Sequence, residues 1–258
     1  SIWILIAKLI SFALSVLLPL LVVRFMTPHD VGVYRQVFLV SNYAVDVLPL
    51  GLSMSAYYFL NRDNQYERSL SVLNILLFNF VLGGLACFTL VSFPDLLTSL
   101  FQNEEMRLYA APLGILIWLR IFGGFLEIVT LANREAKTAS VLIILMQMVH
   151  MLLMVGSVII YNSVGSLVTA ALIHGAIQTV VLFGYINSRF PGFWKRFDAK
   201  FMRQQLAYAL PFGLAALLYS SQTDVHNFFV GHSFSAADFA VYSIGCFQLP
   251  LIWVLYES

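Results

Sequence analysis

Residues 70–91 read LSVLNILLFNFVLGGLACFTLV. The stretch contains no Asp, Glu, Lys or Arg, and its length meets the roughly 20 apolar residues that a helix needs to cross a bilayer. Working outward, similar runs occupy 2–23, 37–60, 109–131, 139–161, 164–186, 206–230 and 241–256. Each is too long for a buried strand, and none shows the ten-residue alternation of an outer-membrane barrel. Helices are then the remaining way to satisfy every backbone hydrogen bond in hydrocarbon. The expectation is an all-α polytopic membrane protein with about eight transmembrane helices, in which the charged residues take the polar positions.

Composition agrees. Hydrophobic residues make up 60% of the chain and charged residues 10%, with 22 Phe and 12 Tyr. A soluble domain usually carries about 25% charged residues, so there are too few here to cover a water-facing surface. Net charge is +1, which gives no reason to expect nucleic acid as a partner. Cys87 and Cys246 lie in apolar runs outside any CxxC or Cys/His cluster, so no metal, cofactor or disulfide framework is expected. HExxH, GxSxG and P-loop patterns are absent, so the reading is not an enzyme, and active transport would draw on an ion gradient or the membrane potential. The first apolar run is too long for a cleavable signal peptide. The apolar start and abrupt end read as a piece of a longer protein.

Basic residues orient the spans. The loops after even-numbered spans hold Arg62, Arg68, Arg134, Lys137, Arg189, Lys195, Arg196, Lys200 and Arg203. Those after odd-numbered spans hold Arg24, Arg35 and Arg107. This bias puts the N-terminal end and the even loops in the cytoplasm. The connection around 188–205 mixes basic and aromatic residues, which suits the headgroup region and membrane lipids.

Two segments echo each other. Thr27-Pro28-His29-Asp30-Val31-Gly32-Val33-Tyr34 follows the first span, and Ser235-Ala236-Ala237-Asp238-Phe239-Ala240-Val241-Tyr242 follows the seventh. The even separation makes the repeat parallel, and Thr/Ser with Asp can cap the next helix. The division expected is a first six-helix bundle over 1–187, a cytoplasmic amphipathic and basic linker over 188–205, and the first two helices of a second bundle over 206–258. Parallel repeats of this kind are a known transporter architecture.

These residues carry a resemblance. The segment from Val23 to Tyr34 resembles the first-loop signature of the Wzx-type polysaccharide or O-antigen flippases of the multidrug/oligosaccharidyl-lipid/polysaccharide exporter (MOP) superfamily. Leu50-Gly51-Leu52-Ser53 is similar to that family's Gly-containing segment. The run from Leu206 to Pro211, Asp224, and the second echo resemble the start of its second bundle. A departure is His226, where many members carry Arg or Lys. The resemblance implies a MATE-like first bundle and the start of a second. It also implies a transporter in the cell inner membrane that flips lipid-linked oligosaccharide, such as a lipopolysaccharide repeat unit on a polyprenyl diphosphate, by alternating access. Coupling to H+ or Na+ would drive it. The alternatives are a multidrug cation antiporter of the same superfamily and, in another class, an intramembrane glycan polymerase or ligase.

An ionisable side chain at the bilayer centre costs roughly 2.5–3.5 kcal/mol on insertion scales, so each one present needs a cavity or a partner. Arg120 and Glu127 are seven apart and share a helix face. They either line a cavity or pin packing through partners on other helices. Arg120 and Lys8 are the substrate-binding candidates, since Arg grips phosphate through its fork of donors. Asp46, Glu127 and Asp224 are the candidates for ion coupling or gating. Lys8 could pair with Asp46 on the adjacent helix, or snorkel to the interface. His150 and His174 read as lone packing histidines. Pro19, Pro49, Pro112, Pro211 and Pro250 fall inside spans, where each can kink its helix.

Overall fold

The computed structural model describes residues 2–246 apart from positions 63 and 196. Expectations that fall on Arg196, on Pro250 and on the eighth span beyond residue 246 lie outside the described residues. What is described is all-helical: α1 (Ile2–Phe25), α2 (Pro28–Val47), the short α3 (Ala56–Phe59), α4 (Gln65–Ser92), α5 (Asp95–Phe101), α6 (Met106–Ala132), α7 (Ala136–Tyr161), α8 (Val164–Arg189), α9 (Ala199–Ser233) and α10 (Ala236–Gly245).

Five of these helices, α1, α4, α6, α7 and α8, are long and apolar enough to cross a membrane. Their outer faces are dressed in large apolar side chains such as Leu152, Ile160, Val180 and Phe88. The long helices α2 and α9 are too polar to join that group. They do not need to be as apolar, because they pack on each other, α2 also on α6 and α9 also on α4 and α5. Helix α6 is the hub: 56% of its most apolar stretch is buried, against 17% for α1 and α7. It packs against α2, α4, α7 and α8, and α1 lies along α7.

Two sequence boundaries shift. The first loop is much shorter than the apolar runs suggest, because α2 starts at Pro28 and takes in Arg35. Thr27 explains the start: its hydroxyl accepts from the Asp30 amide at 3.2 Å and donates to the Asp30 carboxylate at 2.6 Å. Pro28 stands at the first helical position, where its missing N–H costs nothing. The span over 37–60 is not one helix. It breaks after Val47, at Pro49, Leu50 (φ 45°) and Gly51 (φ 71°), then resumes as a 3₁₀ turn at Ser53–Ser55 and α3. Pro49 lacks the amide that would continue the ladder, and Gly51 takes a left-handed backbone at no steric cost. Pro19, Pro112 and Pro211 stay inside helices. At the basic connection, α8 runs on to Arg189 and α9 starts at Ala199, where the Asp198 carboxylate accepts from the amides of Lys200 and Phe201.

The loops sort to two ends. At one, Arg62 pairs with Glu67, Arg134 donates to Asn61, Arg68 donates to Asn133, and Arg189 pairs with Glu135. At the other, His29 meets Glu105 at 3.1 Å, Asn103 donates to Gln36, and His232 Nδ1 donates to the Leu100 carbonyl at 2.9 Å. The loops after even spans therefore do meet at one basic end.

Helix α9 is stitched to the earlier helices along its length. Near the basic end, the fully buried Gln205 donates to Ser55 at 2.8 Å and to Ser71 at 2.9 Å, and accepts from Asn74 at 3.1 Å. Next, Gly51 and Gly213 bring two backbones together. Further along, Tyr43 bonds Ser221 at 3.0 Å and Gln36 donates to the Gly231 carbonyl at 3.1 Å. The two echo segments then pack on each other. Ser235 caps α10 through Asp238 just as Thr27 caps α2 through Asp30. A Cβ on Gly32 would come within 1.8 Å of the Ala236 carbonyl oxygen.

That contact is backbone against backbone, so no side-chain rotation can relieve it. Gly32→Val is expected to cost about 1–3 kcal/mol, the range for overpacking. It should lower the midpoint of thermal unfolding in detergent. Gly184→Val, at an exposed position on α8 with open space around it, should leave the midpoint in place.

Candidate functional site

The side chains that the sequence singles out converge on α6. Its face presents Arg120, Gly124 and Glu127, spaced at i, i+4 and i+7 and therefore stacked along one side. Arg120 extends toward α2 and donates from a single guanidinium nitrogen to Ser41 Oγ at 2.7 Å and to Asn42 Oδ1 at 2.8 Å. Two turns on, Glu127 Oε1 lies 3.4 Å from Lys8 Nζ of α1. Lys8 therefore pairs with Glu127 rather than with Asp46, and it is drawn inward rather than snorkelling. Ser41 and Asn42 are neutral acceptors, so they hold the Arg120 charge in place without cancelling it.

These residues line a chamber of about 700 Å³ bounded by α1, α2, α6, α7 and α8. Neither α9 nor α10 contributes to its lining. Its far wall carries His150 of α7 and His174 of α8, whose rings meet edge to face with centroids 4.8 Å apart. His174 Nε2 donates to the Met146 carbonyl at 3.1 Å. The sequence reading of two separate packing histidines is thus corrected: they are a pair, and they face the cavity. Nothing in the sequence joins them, since they sit on consecutive antiparallel helices 24 positions apart. The rest of the wall is rich in neutral polar groups, including Gln147, Gln178 and Ser11. The Ser11 hydroxyl is buried with no hydrogen-bond partner. Among the side chains lining the chamber, Glu127 is the one carboxylate, against Lys8, Arg120 and two imidazoles.

A second cavity, about 580 Å³, lies between α2, α6 and α9. Asp46 faces this groove rather than the chamber, together with Ser220, Tyr219 and Phe212. It feels the charges of Arg120 and of Asp224. Asp224 stands on α9, with Asn227 Nδ2 3.5 Å from its Oδ1, outside the walls of both cavities. His226 contacts the Tyr242 hydroxyl at 3.2 Å, an internal tie between α9 and α10. The five candidate residues therefore split three ways: Lys8, Arg120 and Glu127 in the chamber, Asp46 in the groove, and Asp224 apart.

The family model for "Polysaccharide biosynthesis protein" matches residues 21–254, nearly the whole chain. The chain belongs to that family. Among solved structures, this chain is similar to a Pyrococcus furiosus transporter of the MOP superfamily, with a TM-score of 0.72 and 17% identity. The match covers 98% of this chain and 61% of that one, whose published description argues from a reversed polarity of the binding pocket to a different function. It is also similar to a multidrug resistance MATE family transporter of the same superfamily in an inward-facing conformation. There the TM-score is 0.66 and identity 16%, with 93% of this chain and 60% of that one covered. The chain thus spans about three fifths of these transporters and shares their fold, a multi-pass helical membrane architecture. No curated protein matches it.

The hold on Arg120 is open to direct measurement. A hydrogen bond to a charged group contributes about 1.5–3 kcal/mol, and Asn42→Ala removes one of two while leaving Ser41. Thermal unfolding of the purified protein should register a loss of that order. Asn42→Asp, which supplies a carboxylate to the guanidinium, should restore the midpoint.

Proposed function

We propose that this family member is part of a flippase that moves a lipid-linked oligosaccharide, a polysaccharide repeat unit on a polyprenyl diphosphate, across the cell inner membrane by alternating access. The single observation that carries the reading is the charge of the chamber. Two fixed cations and two imidazoles face one carboxylate across the chamber. Diphosphate is the part of such a substrate that the membrane interior rejects most strongly, and a guanidinium meets phosphate oxygens with paired donors. A volume of about 700 Å³ falls in the usual range for small-molecule sites, about 300–1,000 Å³. It takes the diphosphate and the first sugar while the polyprenyl tail stays in lipid.

In this reading Arg120 and Lys8 hold the headgroup. Glu127 releases Lys8 to the substrate when it binds, and Asp46, with Asp224 nearby, serves H+ or Na+ coupling in the groove. The basic end faces the cytoplasm, which puts the N-terminal end there too. Residues 1–187 form the first bundle, 188–205 the linker, and 206–258 the opening of a second bundle. A cation exporter is the second reading. It would use the carboxylate of Asp46 and would find Lys8 and Arg120 repulsive.

The test is Arg120→Ala in the full-length protein, with surface polysaccharide and protein level both measured. Export should fall at least about tenfold, the effect of losing one charge-assisted bond to the substrate. Arg120→Lys should recover part of it. Normal export at normal protein level removes Arg120 from the site. Resistance to cationic drugs that falls with Asp46→Asn while polysaccharide is unchanged favours the exporter.

A further inference from the structure

The chamber and the groove are not independent. Both are bounded by Val45 of α2 and Gly124 of α6. Gly124 is exposed in the middle of the most buried helix, flanked by the buried Ile121, Phe122, Phe125 and Leu126. A Cβ built on it meets nothing within 4 Å. By contrast, the adjacent Gly123 is pressed against Gln178, which a Cβ would approach to 2.5 Å. The two neighbouring glycines therefore do different things: Gly123 lets α8 approach, and Gly124 leaves space unfilled. The gap has charged edges. Arg120 lies one turn before Gly124 on the same face, and the Lys8–Glu127 pair lies one turn after it. On the α2 side, Val45 is followed by Asp46, which faces the groove.

We propose that Gly124 and Val45 form the aperture through which an anionic group, phosphate or carboxylate, passes from the inter-bundle groove into the chamber, with Arg120 as its first cationic contact. This rests on the flippase reading for the identity of the cargo, but the path itself is a property of the fold. Asp46 on the groove side repels an anion that has not yet reached Arg120, and Arg120 beyond it attracts one that has. The aperture is thus graded in charge, with a carboxylate on its groove side and a guanidinium on its chamber side. Leucine at 124 fills it without adding charge.

The experiment uses the full-length protein made cysteine-free, with Gln147→Cys introduced in the chamber wall as a reporter. Thiol reagents of matched size and opposite charge, a sulfonate and a quaternary ammonium, are applied and the labelling rates compared. A cationic enclosure raises the local concentration of an anion by about tenfold or more, so the sulfonate should react faster by that order. Gly124→Leu should slow the sulfonate reaction several-fold, and the same change at Gly184 should not. Equal rates with and without Gly124→Leu, in protein that elutes as a folded species, overturn the aperture. If the leucine variant does not accumulate, Gly124→Ala decides, with slower labelling supporting the path and an unchanged rate overturning it. Export separates this from the larger reading. Labelling that ignores position 124 while Arg120→Ala still abolishes export sinks the path and leaves the flippase. Labelling blocked by Gly124→Leu with export intact supports the path and sinks the chamber as the headgroup site.

Discussion

Polar groups that cannot face hydrocarbon organise this molecule. Once the backbone is helical, the remaining question for each segment is where its polar side chains go. Helices α1, α4, α7 and α8 have few and turn their large apolar residues outward. Helices α2 and α9 have many, and they lie against each other and against the segment around Ser55 and Ser71, where Gln36, Tyr43, Ser221 and Gln205 find partners. The same constraint places Arg120. It cannot face lipid, so it turns to Ser41 and Asn42 of α2 and ties the hub helix to one of the most polar of the long helices. Chamber, groove and the seam with α9 are all spaces left between helices that had to hide something.

Small residues supply the second condition. Polar side chains bond across helices only when the helices come close, and Gly32, Gly51 and Gly213 let backbones touch where a Cβ would collide. The buried cluster of Gln205 with Ser55, Ser71 and Asn74 lies near the Gly51–Gly213 contact, so close approach and hydrogen bonding occur together. Removing either weakens both.

Much of this was written in the sequence. Apolar runs carry a strong signal because the bilayer fixes their length, and loop charge correctly grouped the loops that meet at the basic end. The echo around Asp30 and Asp238 gave the capping chemistry at both copies, down to the Thr/Ser hydroxyl and the carboxylate. Pro49 was legible as a place where its helix could kink but not as a full break, since proline inside a span is as often tolerated as disruptive. The decisive αL pair at Leu50 and Gly51 has no pattern of its own. Partners were the least legible. Lys8 and Glu127 are far apart in sequence, and Asp46 was the nearer-looking carboxylate by helix order. Only the packing of α1 along α7, which itself meets α6, brings Lys8 within reach of Glu127. His150 and His174 became a pair for the same reason.

The contact between the two echo segments has a mechanical side. Interdigitated side chains hold two helices the way gear teeth do, and rotation requires them to disengage one by one. Gly32 against the Ala236 carbonyl has no teeth. Two backbones in direct contact, each helix anchored at its own start by a Thr–Asp or Ser–Asp clasp, fix the spacing of α2 and α10 at that point. Any difference in crossing angle there is multiplied toward the far end of a helix some 30 Å long.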